Sequence, residues 1–353
     1  MKDLKDIVST RSLSAYEAGM QEPNPLTLAR LAAKLDFPVA FFYGPDLQEA
    51  PEHGASFRAL STLTKGTAHQ TRAAAAQALL FSDWIDERFN LPPAEVPRLR
   101  GIDPDTAVEV VREEWGLGER PIKNMVHLLE ARGIRVFSLA QECSAIDAYS
   151  FWRDDKRPYM FLNTQKSAEH SRMDAAHELG HLVLHWRHAE PRGRLFEQEA
   201  EQFGSAFLMP AKSLVAEAPR GTNLEKLLKY KKRWKVSLAA LIYRMHTVGV
   251  LSDWQYRSLF IEISHRGYRT SEPEEMEREA SQILPRVFSA LRDEGLSKTD
   301  IASELAFPTR DIDDLIWGLV LTAIAGEDRV ATPEPGLSGE RPNLRLFVPD
   351  DPA

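Results

Sequence analysis

The pattern His177-Glu178-Leu179-Gly180-His181 constrains this chain more than any other feature. Residues four apart on an α-helix lie one above the other. Two imidazoles so placed can close on one tetrahedral zinc ion. Glu178, one position round, can take a proton from a water held there. Zinc brings the pKa of such a water to about 7 and polarises a carbonyl. The flanks agree: Met173, Ala176, Leu179, Leu182, Val183 and Leu184 fall in a helical stretch that directly follows a group of β-rich runs.

A catalytic metal needs a third protein ligand and one open position. The run Phe196-Glu-Gln-Glu-Ala-Glu-Gln-Phe-Gly204 offers Glu197, Glu199 and Glu201 on a second helix. Glu197 and Glu201 are four apart and share a face. Ala200 and Gly204 lie in the same neighbourhood and let the two helices approach closely. Glu197 is therefore expected as the ligand, and Glu201 as an outer partner of a ligand histidine. The three-histidine extension of the motif is excluded. It needs glycine at 184 and histidine at 187, and this chain has Leu184 and Arg187. His185, one turn beyond His181, reads as a helix-end or outer-layer histidine.

Composition narrows the setting. Of 353 residues, 44 are Lys or Arg and 52 Asp or Glu, a net charge of −8. Bulk charge therefore does not hold the chain on nucleic acid, and any DNA contact must be local. The single cysteine, Cys143, excludes a disulfide framework and a cysteine-based zinc finger, and suits a reducing compartment. No apolar run approaches the ~18–20 residues that span a bilayer, and the start lacks an apolar signal core. A cytoplasmic chain with no membrane partner is expected.

Along the chain, residues 1–46 read as short helices and 47–56 as a linker. Helices are expected over 73–89, 103–115 and 122–131. Three short β runs follow over 135–139, 148–153 and 159–163, with a hairpin turn at Asp154-Asp155-Lys156-Arg157-Pro158. Helix resumes at 171–186. A C-terminal helical unit with helix-turn-helix spacing is expected over 275–325, and a disordered Pro- and Gly-rich tail over 326–353. Its reading helix would carry Asp311, Asp313 and Asp314, which repel phosphate. That unit is read as a packing or protein-contact module.

The zinc motif, together with Glu197-x-x-Ala200-x-x-Phe203-Gly204-x-x-Phe-Leu-Met-Pro210, resembles the ImmA/IrrE family of metallo-endopeptidases. Flanking matches are Phe57-Arg-Ala-Leu-Ser61, Phe161-Leu-Asn163, Ser171-Arg172 and Val236-Ser237-x-x-Ala240-Leu-Ile-Tyr-Arg244. The likeness covers about 57–267. It implies an α+β, mostly helical, zincin-like domain with a small antiparallel or mixed sheet, flanked by helical units. It also implies that an edge strand, here 159–163, lies beside the zinc helix and receives the substrate as a further strand. The family pattern puts the third ligand at Glu197. Glu201 and Gly204 depart from it, standing where Asn or Asp and Ala are usual. Tyr243 and Arg244 are the candidates for stabilising the developing oxyanion, with His246 and Arg172 behind them.

Residues 1–46 resemble the second half of a lambda-repressor-like (XRE-type) helix-turn-helix, on Leu4-Lys-Asp-Ile-Val8, Ser9–Gly19 and Glu22-Pro-Asn-Pro-Leu26. A truncated unit is expected there, with Ser9, Thr10, Arg11 and Ser14 as base readers. The leading reading is a zinc endopeptidase that regulates transcription by cutting a helix-turn-helix repressor, in stress response or mobile-element control. Mn²⁺ or Fe²⁺ can also occupy a site of two histidines and a carboxylate. The competing readings are a DNA-binding regulator and an antitoxin-like binding module with a structural or sensory metal. The partners implied are the protein substrate, DNA through the N-terminal segment, and a second copy in a homodimer.

Overall fold

A computed structural model describes residues 4–48, 65–139, 146–186, 193–221 and 223–320. The helix starts follow from local chemistry. Ser9 caps α1 (Thr10–Glu17) by accepting the Ser12 N–H. Asn24 caps α2 (Pro25–Leu35), where Pro25 fills a first-turn position whose N–H has no helical partner anyway. α3 (Lys65–Asp86), α4 (Pro104–Glu114, capped by Asp103) and α5 (Met125–Ala131, capped by Asn124) precede the sheet. α6 (Ala168–Leu184), capped by Ser167, and α7 (Arg194–Leu208) follow it. The described chain continues through α8 (Ala211–Glu217), α9 (Leu224–Trp234), α10 (Leu238–Thr247), α11 (Asp253–His265), α12 (Ile283–Asp293), α13 (Lys298–Glu304) and α14 (Thr309–Ile316). The class is α+β and mostly helical.

The sheet has three strands, β1 (Arg135–Ser138), β2 (Ala148–Arg153) and β3 (Arg157–Leu162), in the order β1-β3-β2. β2 and β3 form the expected hairpin. Asp154 and Asp155 both take positive φ, 51° and 54°, and Lys156 N–H bonds Arg153 C=O at 2.9 Å. Two successive left-handed residues make the turn whose twist matches the strands. β1 pairs parallel to β3. β3 is therefore the central strand, which corrects the expectation of an edge over 159–163. The outer strand that meets α6 is β2. Its side chains are the ones bonded to α6: Ser150 Oγ to Glu178 and Trp152 Nε1 to the Leu182 carbonyl.

Alternation along the strands gives the sheet two faces. One is an aromatic stack. Tyr149 lies on Phe161 at 4.6 Å between ring centres, Phe151 on Tyr159 at 5.6 Å, and Phe137 beside Phe161 at 5.9 Å. Phe81 of α3 and Phe288 of α12 close over this face. The other face, with Ser150 and Trp152, lies under α6. The C-terminal helices share one apolar core with the sheet and α6, in which Phe288, Phe307, Ile312 and Leu315 take part. Truncating a buried aromatic such as Phe81 would cost about 3–5 kcal/mol.

α6 and α7 cross at glycine. A Cβ on Gly204 would stand 2.9 Å from His177 N, and one on Gly180 would stand 3.1 Å from Phe203 Cβ and 3.2 Å from Ala200 Cα. The bare backbones bring the first turn of α7 within side-chain reach of the α6 histidines. The N-terminal helices hold a small core of their own, Leu4, Leu13 and Leu31 with Ile7, Val8 and Tyr16. They touch the C-terminal helices through Phe41 and Phe307 (6.3 Å) and through an Asp36–Arg310 ion pair. The 57–61 motif, the linker beyond 48, Cys143 and the tail from 321 lie outside the described residues. Among the described residues, no helix is long and apolar enough to cross a membrane.

Candidate metal centre

α6 and α7 bring His177, His181 and Glu197 together. Nε2 of His177 is 3.0 Å from Nε2 of His181 and 3.7 Å from Oε2 of Glu197, and the three donor atoms lie within 4.8 Å of one another. Ligands bound at ~2.0–2.1 Å around a tetrahedral ion stand about 3.4 Å apart. The donor set and its spread therefore fit a divalent metal. His177 and Glu197 stay partly open to solvent while His181 is fully buried, so one side of the triad is accessible.

The titration behaviour separates the two histidines. Burial, then the neighbouring His177 and His185, hold His181 well below its usual pKa, so it is a neutral imidazole with a lone pair to offer. Burial also lowers His177. The hydrogen bond to Glu197 and the charges of Glu178, Glu197 and Asp174 outweigh it, and the net shift is upward. Asp174, one turn before the motif, is pushed up to about 7, first by burial and also by the charge of Glu178.

Behind the triad runs a chain of contacts. His181 Nδ1 meets His185 Nδ1 at 2.9 Å, and His185 Nε2 meets Glu199 Oε2 at 2.9 Å. The tautomers that satisfy both contacts put a proton on His185 Nε2 toward Glu199 and a proton on His181 Nδ1 toward His185. That leaves His181 Nε2 unprotonated, facing the other donors. His185 thus stands behind His181, one of the candidate donors. The carboxylate that orients it is Glu199; Glu201, expected in that place, is exposed. Ala200 lies on the contact line of α7. Helical geometry turns residues one behind and one ahead of it to opposite sides, so only Glu199 is on the His185 side.

Glu178 is buried, and its carboxylate is 2.7 Å from Ser150 Oγ. Ser150 escaped the sequence reading, although a lone hydroxyl in the apolar run Ala148-Tyr-Ser-Phe-Trp152 is a visible signal. Of the two oxyanion candidates, Arg244 is committed elsewhere. It is buried, with Nε on the Met209 carbonyl (3.2 Å) and Nη2 on Asp105 (3.1 Å), and it joins α10 to the end of α7 and to α4. Tyr243 is 42% exposed, and its phenol pKa is raised, first by burial and then by the charge of Glu201. Arg172 is buried on Glu279 and the Ile122 carbonyl, and His246 bonds Asp253 at 2.7 Å. Thr10, Arg11 and Ser14 are exposed on α1, while the Ser9 side chain is engaged as its cap. A second cluster, Asp147, His170 and Asp174, already holds a cation of the chain: Lys166 Nζ contacts Asp147 and is 3.4 Å from His170 Nε2.

Residues 129–246 match the family model of the IrrE N-terminal-like domain, a peptidase family (Peptidase_M78). The matched span contains the whole sheet, α6 and α7. No curated protein matches the chain.

Proposed function

Residues 129–246 match the model of this peptidase family, and from that match we propose that the chain is a zinc-dependent endopeptidase whose substrate is a helix-turn-helix repressor. One observation carries the reading. Three donors suited to zinc converge within 4.8 Å, and a glutamate follows the first of them directly in the chain. A structural zinc has no use for that glutamate, whereas a hydrolytic one does.

His177, His181 and Glu197 are the residues that hold the metal, and Glu199 acts through His185 to orient His181. The metal, when bound, polarises the scissile carbonyl and lowers the pKa of water. Glu178 accepts the proton and returns it to the leaving amine. Tyr243, partly exposed, is the donor for the oxygen on which charge develops. The substrate backbone extends the sheet along β2, the outer strand under α6. Cutting a repressor links the site to transcription, in stress response or control of a mobile element. Thr10, Arg11 and Ser14 are the side chains through which the N-terminal helices contact DNA in this reading.

The test is a paired incubation of wild type and Glu178→Gln, both zinc-loaded, with a repressor encoded beside this chain. Fragments are read by mass spectrometry. One defined cut by wild type, absent in the variant, supports the reading. Retention of the repressor, or of DNA, with no cut by either protein favours a binding module instead.

A further inference from the structure

The carboxylate of Glu178 is anchored. Ser150 Oγ lies 2.7 Å from Glu178 Oε2 and 3.2 Å from the Glu178 backbone carbonyl, and both residues are buried. A buried hydroxyl among apolar neighbours is costly unless it is bonded, and the partner Ser150 finds is the residue assigned the proton transfer. An O–H···O⁻ contact of this length falls in the charge-assisted range and fixes the carboxylate rotamer.

The contact is built into the packing of strand on helix. Two residues further along β2, Trp152 Nε1 donates to the Leu182 carbonyl at 3.0 Å. Two strand residues advance about 6.7 Å and four helical residues about 6 Å. Ser150 and Trp152 therefore meet Glu178 and Leu182 in register, at two points along one line. The indole fixes the strand against the helix, and the hydroxyl is left under Glu178, closer to its carboxylate (2.7 Å) than to its backbone carbonyl (3.2 Å).

We propose that Ser150 is a positioning residue whose hydroxyl holds the Glu178 carboxylate in the orientation from which it takes up the proton. This rests on the peptidase reading. It adds that the strand offered to the substrate backbone also carries the side chain that sets the base.

Two measurements on the full chain test it. The first is independent of activity: urea unfolding of metal-free wild type, Ser150→Ala, Glu178→Ala and the double variant. The expected result is coupling. Ser150→Ala should shift the unfolding constant at least about fivefold more when Glu178 is present than when it is replaced. Additive effects overturn the proposal. The second uses a peptide spanning the bond that wild type cuts. Ser150→Ala should lower kcat roughly 10–100-fold, with KM and zinc stoichiometry unchanged, and Ser150→Thr, which keeps the hydroxyl, should recover most of the loss. A loss confined to KM or to zinc content overturns it. If Ser150→Ala does not fold, Ser150→Cys, close in size and a poor donor, takes its place in both measurements. If wild type cuts no repressor, the peptidase reading falls, and the unfolding cycle alone decides whether Ser150 holds Glu178.

Discussion

Gly204→Ala adds a single methyl group at the point where α7 touches α6. The new carbon would stand 2.9 Å from His177 N, 3.1 Å from Ala176 C and 3.1 Å from His177 Cα, and all three atoms are backbone. Ordinary contact begins near 3.4 Å, so the helices must separate by about half an ångström at the first ligand. Two effects oppose each other. Alanine gains about 1 kcal/mol over glycine inside a helix, while forcing a methyl into a packed contact costs about 1–3 kcal/mol. The net expectation is a loss of up to about 2 kcal/mol in urea unfolding. The larger effect falls on the metal. Glu197 is carried on α7 and the histidines on α6, so separation stretches the triad, and zinc affinity should fall roughly 10–100-fold, the range seen when support behind a ligand is disturbed. A competing chelator titration reads it. Gly180→Ala meets Phe203 Cβ and Cδ1 at 3.1 Å and Ala200 Cα at 3.2 Å, a shallower overlap than the 2.9 Å at Gly204, and should be milder on both readouts. A Gly204→Ala protein that gains about 1 kcal/mol and binds zinc as wild type does would show that the helix crossing does not set the site.

Other perturbations separate roles. Glu199→Ala removes the carboxylate behind His185 and should weaken zinc binding roughly tenfold or more, whereas Glu201→Ala should leave it unchanged. Tyr243→Phe should leave stability within about 0.5 kcal/mol but slow cleavage. Replacement of Arg244, buried on Met209 and half-exposed Asp105, should instead appear as lost stability of about 1–3 kcal/mol. Glu130 supplies the pH dependence. It caps the start of α12 through Ser281 and the N–H groups of Gln282 and Ile283, and burial pushes its pKa up to about 7. A carboxyl raised in this way contributes most below its unfolded pKa near 4.5 and loses that contribution as pH rises to about 7, about 3 kcal/mol in all. Glu130→Gln cannot ionise, so its stability should be flatter than wild type between those values; an equally steep profile would refute the assignment.

The sequence was most informative where physics is local. Helical spacing located α6, α7 and the candidate donors His177, His181 and Glu197, which the structure brings within 4.8 Å of one another, and the alternation and turn residues located the three strands. It was least informative where pairing is long-range. The three β runs do not state their order, and β3 is central because β1 skips its chain neighbour β2 and pairs parallel to β3. Similarly, Glu197, Glu199 and Glu201 differ only by rotation about one helix axis. The crossing point at Gly204, a tertiary fact, decides which of them faces which histidine. Arg244 shows the same limit. Its charge suited the chemistry, but the Met209 carbonyl and Asp105 had already claimed it.

The most direct test of the account is zinc stoichiometry and coordination in the full chain, by elemental analysis and X-ray absorption. Wild type should hold one zinc with two imidazole nitrogens and carboxylate oxygen in its shell. His177→Ala, His181→Ala and Glu197→Ala should each lose most of the metal, while Glu178→Gln should keep it. Full zinc occupancy with an unaltered shell in Glu197→Ala, or no zinc in wild type under any loading, would contradict it.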